Sequence, residues 1–331
     1  MRVLLMARKD LFLFPAGDTI QIQQTAIALN QLGVTAEIAL GPKDDLGSWD
    51  VLHFFNLMRF GDVRHWVAVT EQRNCPPVVI TPFYWRRQSV TAGEVSWVDF
   101  DRWRTVLLGR AHAVLVSGAA EKEVLCADFN LPPAKVQVVP VGVEERFFRP
   151  DPSPFIKATG LRDFVFMAAR ISREKNQLSL LKALRGLKVP LVLAGMINDP
   201  VYFALCRQEG QGQLVYLGHW PLAHLPPVYA AARVHVLPSR YEIPGLASLE
   251  AAVAGCQVIS TRVGTAREYL GEDAWYCEPG DIAGLRRALE EALVAPARAA
   301  LAERIQREYS WHKTGQKTLA VYEKVCGESP G

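Results

Sequence analysis

The chain is 331 residues long, half of its residues are hydrophobic, 21% are charged, and its formal net charge is +3. The length allows two domains of ordinary size, each with its own core, and the composition is typical of a soluble globular protein. The net charge is too small to indicate nucleic-acid binding, and no stretch reaches the roughly 20 apolar residues of a membrane-spanning helix.

The N-terminal segment is interpreted as a buried strand, because its apolar run is short for a signal peptide and no small-residue cleavage site follows it. The six cysteines are scattered through the sequence without a CxxC pair or a Cys/His cluster. This spacing argues against a zinc site and against a disulfide framework. We therefore expect reduced thiols in a cytoplasmic protein.

Short apolar runs alternate with longer amphipathic segments in the first half, a pattern typical of a parallel sheet covered by helices. The predicted strands are Val3–Ala7, Val34–Ala39, Val51–Phe55, Val78–Thr81, Ala113–Val116 and Val136–Val139. The predicted helices are Asp18–Leu32, Asp62–Gln72, Phe100–Arg110 and Gly118–Phe129. The segment Glu144–Gly160 interrupts the alternation, and its three prolines predict an extended connector between two domains.

The second half repeats the alternation. Its predicted strands are Phe164–Ala168, Leu191–Gly195, Leu214–Leu217, Val234–Leu237, Val258–Ser260 and Ala274–Cys277. Its predicted helices are Asn176–Arg185, Pro200–Gln208, Leu222–Ala232, Leu246–Ala254 and Ile282–Val294, followed by a final helix over Trp311–Val325. The predicted domains are residues 1–148 and 149–310, and residues 311–331 are expected to return to the first domain. Open α/β sheets of this kind bind ligands beyond the carboxyl ends of their strands.

A loop with Pro244 and Gly245 leads from a predicted strand into the helix Leu246–Ala254. Proline and glycine let the backbone approach a ligand, and the unpaired N–H groups at the start of a helix favour a phosphate. Glu242 lies in the loop and Glu250 lies one to two turns into the helix. Since two carboxylates repel a pyrophosphate, we expect them to accept hydrogen bonds from neutral hydroxyls, as in a ribose site.

A second informative segment follows the first strand of the second domain and carries Arg170 and Lys175. Both side chains are expected at the carboxyl end of that strand. Two cations five positions apart can neutralise a diphosphate whose negative charge grows as its bond to a sugar breaks. The two segments together predict a site for a nucleotide diphosphate.

These segments resemble the family 4 glycosyltransferases, which are retaining enzymes of the GT-B fold. The family's E-x7-E motif is matched by Glu242 and Glu250, its R-x4-K pair is matched by Arg170 and Lys175, and the resemblance covers Phe164–Val325. It implies an α/β protein with two Rossmann-like, doubly wound parallel-sheet domains that face one another across a cleft. It also implies a C-terminal helix that crosses back to the first domain.

The resemblance implies a role for each of these residues. Glu250 is expected to contact the ribose, and Glu242 is expected near the sugar. Arg170 and Lys175 are expected to contact the diphosphate. The predicted catalytic residues are therefore Glu242, Arg170 and Lys175. Further donor contacts are predicted in the loops at the strand ends and at the start of the helix, namely at Gly245, Leu246, Ala247, Ser248, Gly195, His219 and Trp220. The implied donor is a UDP-sugar, a GDP-sugar or a similar compound, with no separate cofactor and no metal.

The first domain matches the family more loosely. Its segment Pro15–Gln21 looks like the family's glycine-rich N-terminal loop, which makes Gly17 and Asp18 predicted ligand contacts. In the alternative interpretation Gly17 only turns the chain and Thr19 only caps a helix. His53, at the end of a strand, is either a site residue or a satisfied core histidine.

Many members of the family carry a histidine just beyond the strand that corresponds to Val78–Thr81, in contact with the donor sugar. Here residues 82–86 read Pro-Phe-Tyr-Trp-Arg and contain no histidine. Stacking of Tyr84 or Trp85 on the sugar is one way to replace the histidine contact. The identity of the donor sugar stays open.

Two further charge patterns allow more than one interpretation. Asp99 and Asp101 spell the D-x-D of another glycosyltransferase fold, but helix N-terminal carboxylates explain them without a metal. The arginines at positions 86, 87, 102, 104 and 110 form either a solvated surface or a basic patch towards anionic lipid. The second reading leaves open a peripheral contact with the inner face of a membrane.

The sequence therefore predicts transfer of a glycosyl group from a nucleotide-diphosphate sugar to an acceptor hydroxyl, with retention, in the synthesis of surface polysaccharide, glycolipid or glycoconjugate. The acceptor is open among a saccharide, a lipid-linked glycan and a small molecule, and nucleic acid is not an expected partner. Two alternatives remain at this point. One is a nucleotide-sugar 2-epimerase of the same fold, and the other is a non-catalytic nucleotide-sugar-binding partner.

Overall fold

The computed structural model describes residues 1–41, 46–86, 97–296 and 299–327. The chain divides into two compact units: the first comprises Met1–Gly142 with Trp311–Gly331, and the second comprises Val143–Ser310. Each unit contains a six-stranded sheet in which all neighbouring strands are parallel. None of the helices in the described part of the chain has the length and apolar character needed to cross a bilayer.

The first unit alternates strands and helices. Its strands are β1 (Arg2–Ala7), β2 (Thr35–Leu40), β3 (Val51–Phe55), β4 (Val78–Thr81), β5 (Ala113–Val116) and β6 (Val136–Val138). Its helices are α1 (Gly17–Gln31), α2 (Phe60–Val69), α3 (Trp97–Arg110) and α4 (Ala119–Phe129), with the C-terminal helix α13 (Trp311–Gly327). The strand order is β2-β1-β3-β4-β5-β6, so the direction of winding changes between β1 and β3.

The second unit repeats this plan. Its strands are β7 (Phe164–Ala168), β8 (Leu191–Ala194), β9 (Leu214–Tyr216), β10 (Ala232–Leu237), β11 (Gln257–Thr261) and β12 (Trp275–Cys277). Its helices are α5 (Ser153–Thr159), α6 (Gln177–Leu184), α7 (Pro200–Glu209), α8 (Pro226–Ala231), α9 (Leu246–Ala254), α10 (Ala266–Leu270), α11 (Ile282–Val294) and α12 (Ala299–Glu308). The order β12-β11-β10-β7-β8-β9 places the change of winding between β7 and β10.

The C-terminal helix α13 packs on α1 of the first unit. A Cβ added at Gly315 would lie 2.8 Å from the Cβ of Ala28, so a glycine allows the two helices to approach closely. Tyr322 is fully buried and joins the core formed with β1 and β3. The Thr314 hydroxyl donates a hydrogen bond to the carbonyl oxygen of Pro140 at 2.8 Å.

The prediction of an extended connector over Glu144–Gly160 is wrong. This segment contains a short 3-10 turn and the helix α5. Pro154 lies in the first turn of α5, where a missing N–H removes no intrahelical hydrogen bond. Phe155 of the same helix is buried and packs on Phe164, with ring centroids 5.7 Å apart. The prolines therefore start a helix that packs on the sheet.

Three other helical segments differ from the prediction. The predicted helix Leu222–Ala232 is divided into a 3-10 turn over Leu222–His224 and the short helix α8, because Pro226 and Pro227 lack the N–H groups that would continue it. The helices α10 and α12 were not predicted. Both are short amphipathic segments that the strand pattern does not require.

Candidate active site

Two loops of the second unit that carry predicted site residues meet where the direction of strand winding changes. The loop after β7 carries Arg170 and Lys175, and the loop after β10 carries Glu242. Because β7 and β10 are neighbouring parallel strands, their carboxyl ends lie side by side. Open α/β sheets bind ligands at this position, where two loops diverge.

Direct hydrogen bonds join these two loops. The Lys175 ammonium lies 2.6 Å from Glu242 Oε2, and the two side chains are 19% and 10% exposed. The Asn176 amide donates to the carbonyl oxygen of Pro238 at 3.1 Å. Asn176 was not among the predicted site residues, although its left-handed backbone (φ +62°) shapes the turn that presents Lys175. This ion pair holds Lys175 and Glu242, two of the three predicted catalytic residues, at the place where the direction of strand winding changes.

Arg170 differs from Lys175 in its surroundings. Its side chain is exposed, and within the described part of the chain no hydrogen bond or ion pair engages its guanidinium. Its backbone is fixed, because the Gln177 amide donates to the Arg170 carbonyl oxygen at 2.8 Å. A guanidinium on a fixed backbone with its donors available suits an incoming anion.

The start of α9 provides further donors. Gly245 caps the helix in the left-handed conformation, with φ +78°. Ser248 donates its N–H to the Gly245 carbonyl oxygen at 2.8 Å, whereas the N–H groups of Leu246 and Ala247 have no acceptor among the described residues. The backbone donors that remain for an anion are thus those of Leu246 and Ala247. The Ser248 side-chain hydroxyl is buried and also has no partner in the described structure.

Glu250 lies one turn further along α9 and is 6% exposed. Its Oε2 accepts a hydrogen bond from the Tyr229 hydroxyl at 3.1 Å. Burial raises the pKa of Glu250 to about 7, and the hydrogen bond from Tyr229 and the nearby Arg146 act in the opposite direction. Tyr229 was missed in the sequence, because nothing in the local pattern of α8 links it to a residue 21 positions away.

Two glycines permit the close backbone contacts of this site. A Cβ on Gly195 would lie 2.1 Å from the carbonyl oxygen of Ala169, and a Cβ on Gly264 would lie 1.9 Å from that of Glu242. Both glycines have positive φ angles. Gly195 was a predicted donor contact, and the structure gives it a role in supporting the loop after β7. Gly264 was missed, although a glycine just after the strand β11 is a recognisable signal.

His219 and Trp220 lie at the edge of the same sheet. They follow β9, which β8 separates from β7, and the carbonyl oxygen of the preceding Gly218 accepts a hydrogen bond from the Gly195 N–H at 2.8 Å. His219 is exposed. The Trp220 ring packs on Phe155 of α5, with centroids 5.7 Å apart, which gives it a structural contact. Their roles as donor contacts stay predictions.

Gly17 and Asp18 belong to the first unit, where they begin α1. Asp18 accepts hydrogen bonds from Arg8 Nε at 2.9 Å and from the Asn56 amide at 3.1 Å. The Thr19 hydroxyl accepts from the Ala16 N–H at 3.0 Å, as a helix cap does. A Cβ on Gly17 would meet nothing within 4 Å. The observed contacts of Asp18 and Thr19 are structural, and their ligand roles stay predictions.

His53 is a buried core residue. Its Nδ1 lies 2.6 Å from the Tyr322 hydroxyl, its Nε2 lies 2.8 Å from Thr81 Oγ1, and the side chain is enclosed. Burial lowers the pKa of His53 to about 3, so the ring is neutral at physiological pH. Of the two interpretations of His53, the structure shows the satisfied core histidine.

Tyr84 is also enclosed in the first unit, so the suggestion that its ring stacks on a sugar is wrong. It is 5% exposed, its hydroxyl donates to Asp128 at 2.8 Å, and its ring meets Phe129 edge to face. Since both the ring and the hydroxyl have partners within the fold, no face is left for a ligand. Trp85 is partly buried.

Arg104 does not belong to a surface patch, which corrects the grouping of the arginines. It is 3% exposed, donates to the Leu57 carbonyl oxygen at 2.8 Å and to Asp101 at 2.8 Å, and lies over the Phe100 ring at 3.7 Å. Arg110 pairs with Glu71, and position 87 lies outside the described residues. In the described part of the chain no group of three or more His, Cys, Asp or Glu side chains has a metal-binding arrangement.

Part of the second unit matches a family of known proteins. Residues 162–294 match the family described as "Glycosyl transferases group 1". This segment contains Arg170, Lys175, Glu242 and Glu250. The predicted resemblance to glycosyltransferases is confirmed over this segment.

Relatives of known name span different parts of the chain. The O-antigen chain mannosyltransferase B of Escherichia coli is 31% identical over 146 residues, which cover 41% of this chain and 38% of that protein. The alpha-maltose-1-phosphate synthase of Mycobacterium tuberculosis is 27% identical over 274 residues, which cover 73% of this chain and 70% of that protein. The match therefore spans well under half of the first relative and most of the second.

Solved structures match the whole fold. Sucrose-phosphate synthase from Thermosynechococcus elongatus superposes with a TM-score of 0.82 at 18% identity, over 99% of this chain and 100% of that chain. The Anabaena protein HepE in complex with UDP-glucose gives 0.78 at 15% identity, over 98% and 100%. At these identities the likeness shows the fold, and it confirms the predicted GT-B class with two parallel-sheet domains.

Proposed function

We propose that the protein transfers a hexosyl group from a nucleotide-diphosphate sugar to an acceptor hydroxyl. One observation carries the proposal: Arg170, Lys175 and the free N–H groups of Leu246 and Ala247 all lie at the carboxyl ends of β7 and β10. Each of these groups donates hydrogen bonds and carries positive or partial positive charge, which favours a diphosphate. The UDP-glucose in the Anabaena structure of the same fold supports this class of donor.

In this proposal the cations act on the leaving group. The Lys175 ammonium has three donors, so it can keep its bond to Glu242 and contact a phosphate oxygen with another. Arg170 contributes a bidentate contact from its exposed guanidinium. As the bond between sugar and phosphate breaks, the growing negative charge on the diphosphate strengthens both contacts, which lowers the barrier.

Glu242 is proposed to lie near the sugar, where its second oxygen accepts a hydrogen bond from a sugar hydroxyl. Glu250 is proposed to accept from the ribose hydroxyls, as the resemblance implies. The Tyr229 hydroxyl, 3.1 Å from Glu250, favours the ionised carboxylate that this contact requires. The two glutamates would thus bind neutral hydroxyls on opposite sides of the diphosphate.

We further propose retention of the anomeric configuration, with the departing phosphate oxygen accepting the proton of the acceptor hydroxyl. The bond from sugar to phosphate breaks, the bond from sugar to acceptor oxygen forms on the same face, and the proton ends on the nucleotide diphosphate. The chain's cations neutralise the diphosphate without a metal or a separate cofactor in this scheme. The scattered cysteines of the sequence support a cytoplasmic site of action.

The test is release of nucleotide diphosphate from a panel of UDP- and GDP-hexoses, by the wild type, Lys175→Ala and Arg173→Ala. Arg173 lies between the two predicted cations, but its side chain is 61% exposed and pairs with Asp199, so it serves as a matched control. We expect release by the wild type and the control, and release slower by about 10²-fold or more in Lys175→Ala.

Three results would contradict the proposal. Accumulation of an epimeric nucleotide sugar without release of the diphosphate would identify an epimerase. Equal release by Lys175→Ala and the wild type would show that the chemistry lies elsewhere. Failure of every nucleotide sugar, together with no thermal shift by UDP or GDP, would exclude the donor site.

A further inference from the structure

Three consecutive large apolar side chains are exposed on the turn after β1. Phe12 is 48% exposed, Leu13 is 75% exposed and Phe14 is 56% exposed. In the described part of the chain no other exposed large hydrophobic residues are adjacent in sequence. Isolated exposed apolar residues are normal on protein surfaces, but a contiguous group usually marks a contact.

Hydrogen bonds fix the turn that carries these side chains. The N–H groups of Leu13 and Phe14 both donate to the Asp10 carbonyl oxygen at 3.1 Å. Arg8 is 5% exposed and donates to the Phe14 carbonyl oxygen at 2.6 Å. Leu11 anchors the turn in the core of the first unit. The three side chains are therefore presented outward by a fixed backbone.

The surroundings of the turn argue against several partners. The charged groups beside it cancel, since Arg8 and Arg59 pair with Asp10, Asp18 and Asp62 and the neighbouring Lys9 adds a third positive charge. A nucleic acid or a strongly charged protein surface therefore has no complementary field. The three side chains expose on the order of 300 Å². A stable dimer needs about 800 Å² from each partner, so a second copy of the chain is not favoured.

A lipid bilayer fits the remaining features. A small apolar ligand needs a concave site with walls on several sides, and side chains that are about half exposed or more do not provide one. The interfacial region of a bilayer instead accepts protruding apolar side chains, and their transfer from water is favourable without any charge.

We propose that Phe12, Leu13 and Phe14 insert into the surface of a lipid bilayer and bring the protein to a membrane. This contact is apolar, so it does not require anionic lipid and does not weaken at high salt. The proposal uses no residue of the segment with Arg170 and Glu242, so its test does not depend on the outcome of the donor assays. An apolar contact thus takes the place of the basic patch that the arginines suggested.

The test is sedimentation of the full chain with sucrose-loaded vesicles of phosphatidylcholine alone, and of phosphatidylcholine with phosphatidylglycerol, at low and high salt. We expect the wild type to partition onto both kinds of vesicle. The variant Phe12→Ser/Leu13→Ser/Phe14→Ser should lose about tenfold or more in partition coefficient, and Leu13→Ser alone a smaller part of it. Val294→Ser is the matched control, because Val294 is 82% exposed but isolated in the second unit.

The proposal is overturned if the wild type does not bind vesicles, or if the triple variant binds as well as the wild type. It is also overturned if binding needs phosphatidylglycerol and disappears at high salt, which would indicate basic residues instead. Light scattering on the same samples gives a further outcome: a dimer that the triple variant abolishes would assign the turn to self-association. All the substituted side chains are exposed, and circular dichroism and the thermal unfolding curve confirm that each variant is folded.

Discussion

The two units change their direction of winding at equivalent places, yet they use the charged residues there differently. In the first unit Arg8 donates to Asp10, Asp18 and two main-chain oxygens, so its charge is satisfied within the fold. In the second unit the guanidinium of Arg170 and the N–H group of Leu246 have no acceptor in the described part of the chain. A charged residue at the place where the direction of winding changes therefore indicates a ligand site only where its hydrogen-bond donors have no partner within the fold.

Substitution of Arg170 should produce the largest effect. Arg170→Ala removes a donor that acts on the leaving diphosphate, and we expect kcat for donor turnover to fall by about 10²–10³-fold. Because the side chain is exposed and unpaired among the described residues, the melting temperature should stay within about one degree of the wild type. Steady-state release of nucleotide diphosphate and a thermal melt measure the two effects. A large loss of stability with unchanged kcat would show that Arg170 acts within the fold, as Arg8 does, and not on a ligand.

Arg8→Ala should show the opposite pattern. It leaves the carboxylates Asp10 and Asp18 without their buried partner, which costs on the order of 3 kcal/mol in the unfolding of the first unit. Donor turnover by the folded protein should change by less than about threefold, since Arg8 lies outside the donor-binding segment. Urea denaturation and kinetics on the same preparation test this, with the exposed Arg173→Ala as the control. Loss of donor turnover at unchanged stability would make Arg8 a site residue.

Gly264→Ala should lower activity by about tenfold. The new Cβ would lie 1.9 Å from the Glu242 carbonyl oxygen, so the loop that carries Glu242 must move. Gly212→Ala is the control, because Gly212 also has a positive φ angle but has nothing within 4 Å of the added Cβ. Both variants lose stability through backbone strain, and only Gly264→Ala should raise KM or lower kcat. Equal kcat and KM for the two variants would show that Gly264 does not affect the position of Glu242 in the site.

The smallest effect concerns pH and Glu250. Its pKa of about 7 predicts that kcat/KM for the donor falls as the pH drops below 7, because the protonated carboxyl no longer accepts from the ribose hydroxyls. Tyr229→Phe removes a hydrogen bond that favours the ionised form, so this acid limb should move to higher pH while the shape of the curve is kept. Glu250→Gln should abolish the limb and weaken donor binding by about tenfold.

The same group affects stability with a defined sign. The pKa of Glu250 is raised in the fold from its usual 4.5 to about 7, so the neutral carboxyl contributes stability that is complete below pH 4.5 and is lost as the pH rises through 7. In Glu250→Gln this part of the pH dependence should vanish. An unchanged acid limb in both Tyr229→Phe and Glu250→Gln would assign the limb to another group.

Much of the fold could be predicted because buried parallel strands leave a strong local pattern. The strands Val51–Phe55, Val78–Thr81, Ala113–Val116 and Phe164–Ala168 are observed with their predicted bounds. The helix α5 was missed because prolines that break a helix interior also favour its first turn, and local sequence does not distinguish these uses. The packing of this helix depends on Phe155, whose partner in the core, Phe164, is set by tertiary structure and not by local sequence.

For the candidate site, the sequence located the loops but not their contacts. Arg170, Lys175 and Glu242 could be assigned to strand ends from local patterns alone. The 2.6 Å bond between Lys175 and Glu242 joins residues 67 positions apart and depends on loop geometry. The contacts of Gly264 with Glu242 and of Tyr229 with Glu250 are likewise long-range, so no local motif reveals them.

The most direct test of the donor site is a crystal structure of the protein with UDP or GDP bound. We predict that the diphosphate lies within hydrogen-bonding distance of Arg170, Lys175 and the N–H groups of Leu246 and Ala247, with the ribose hydroxyls on Glu250. A nucleotide bound elsewhere, or bound in this unit with Arg170 and Lys175 directed away from the phosphates, would contradict the assignment.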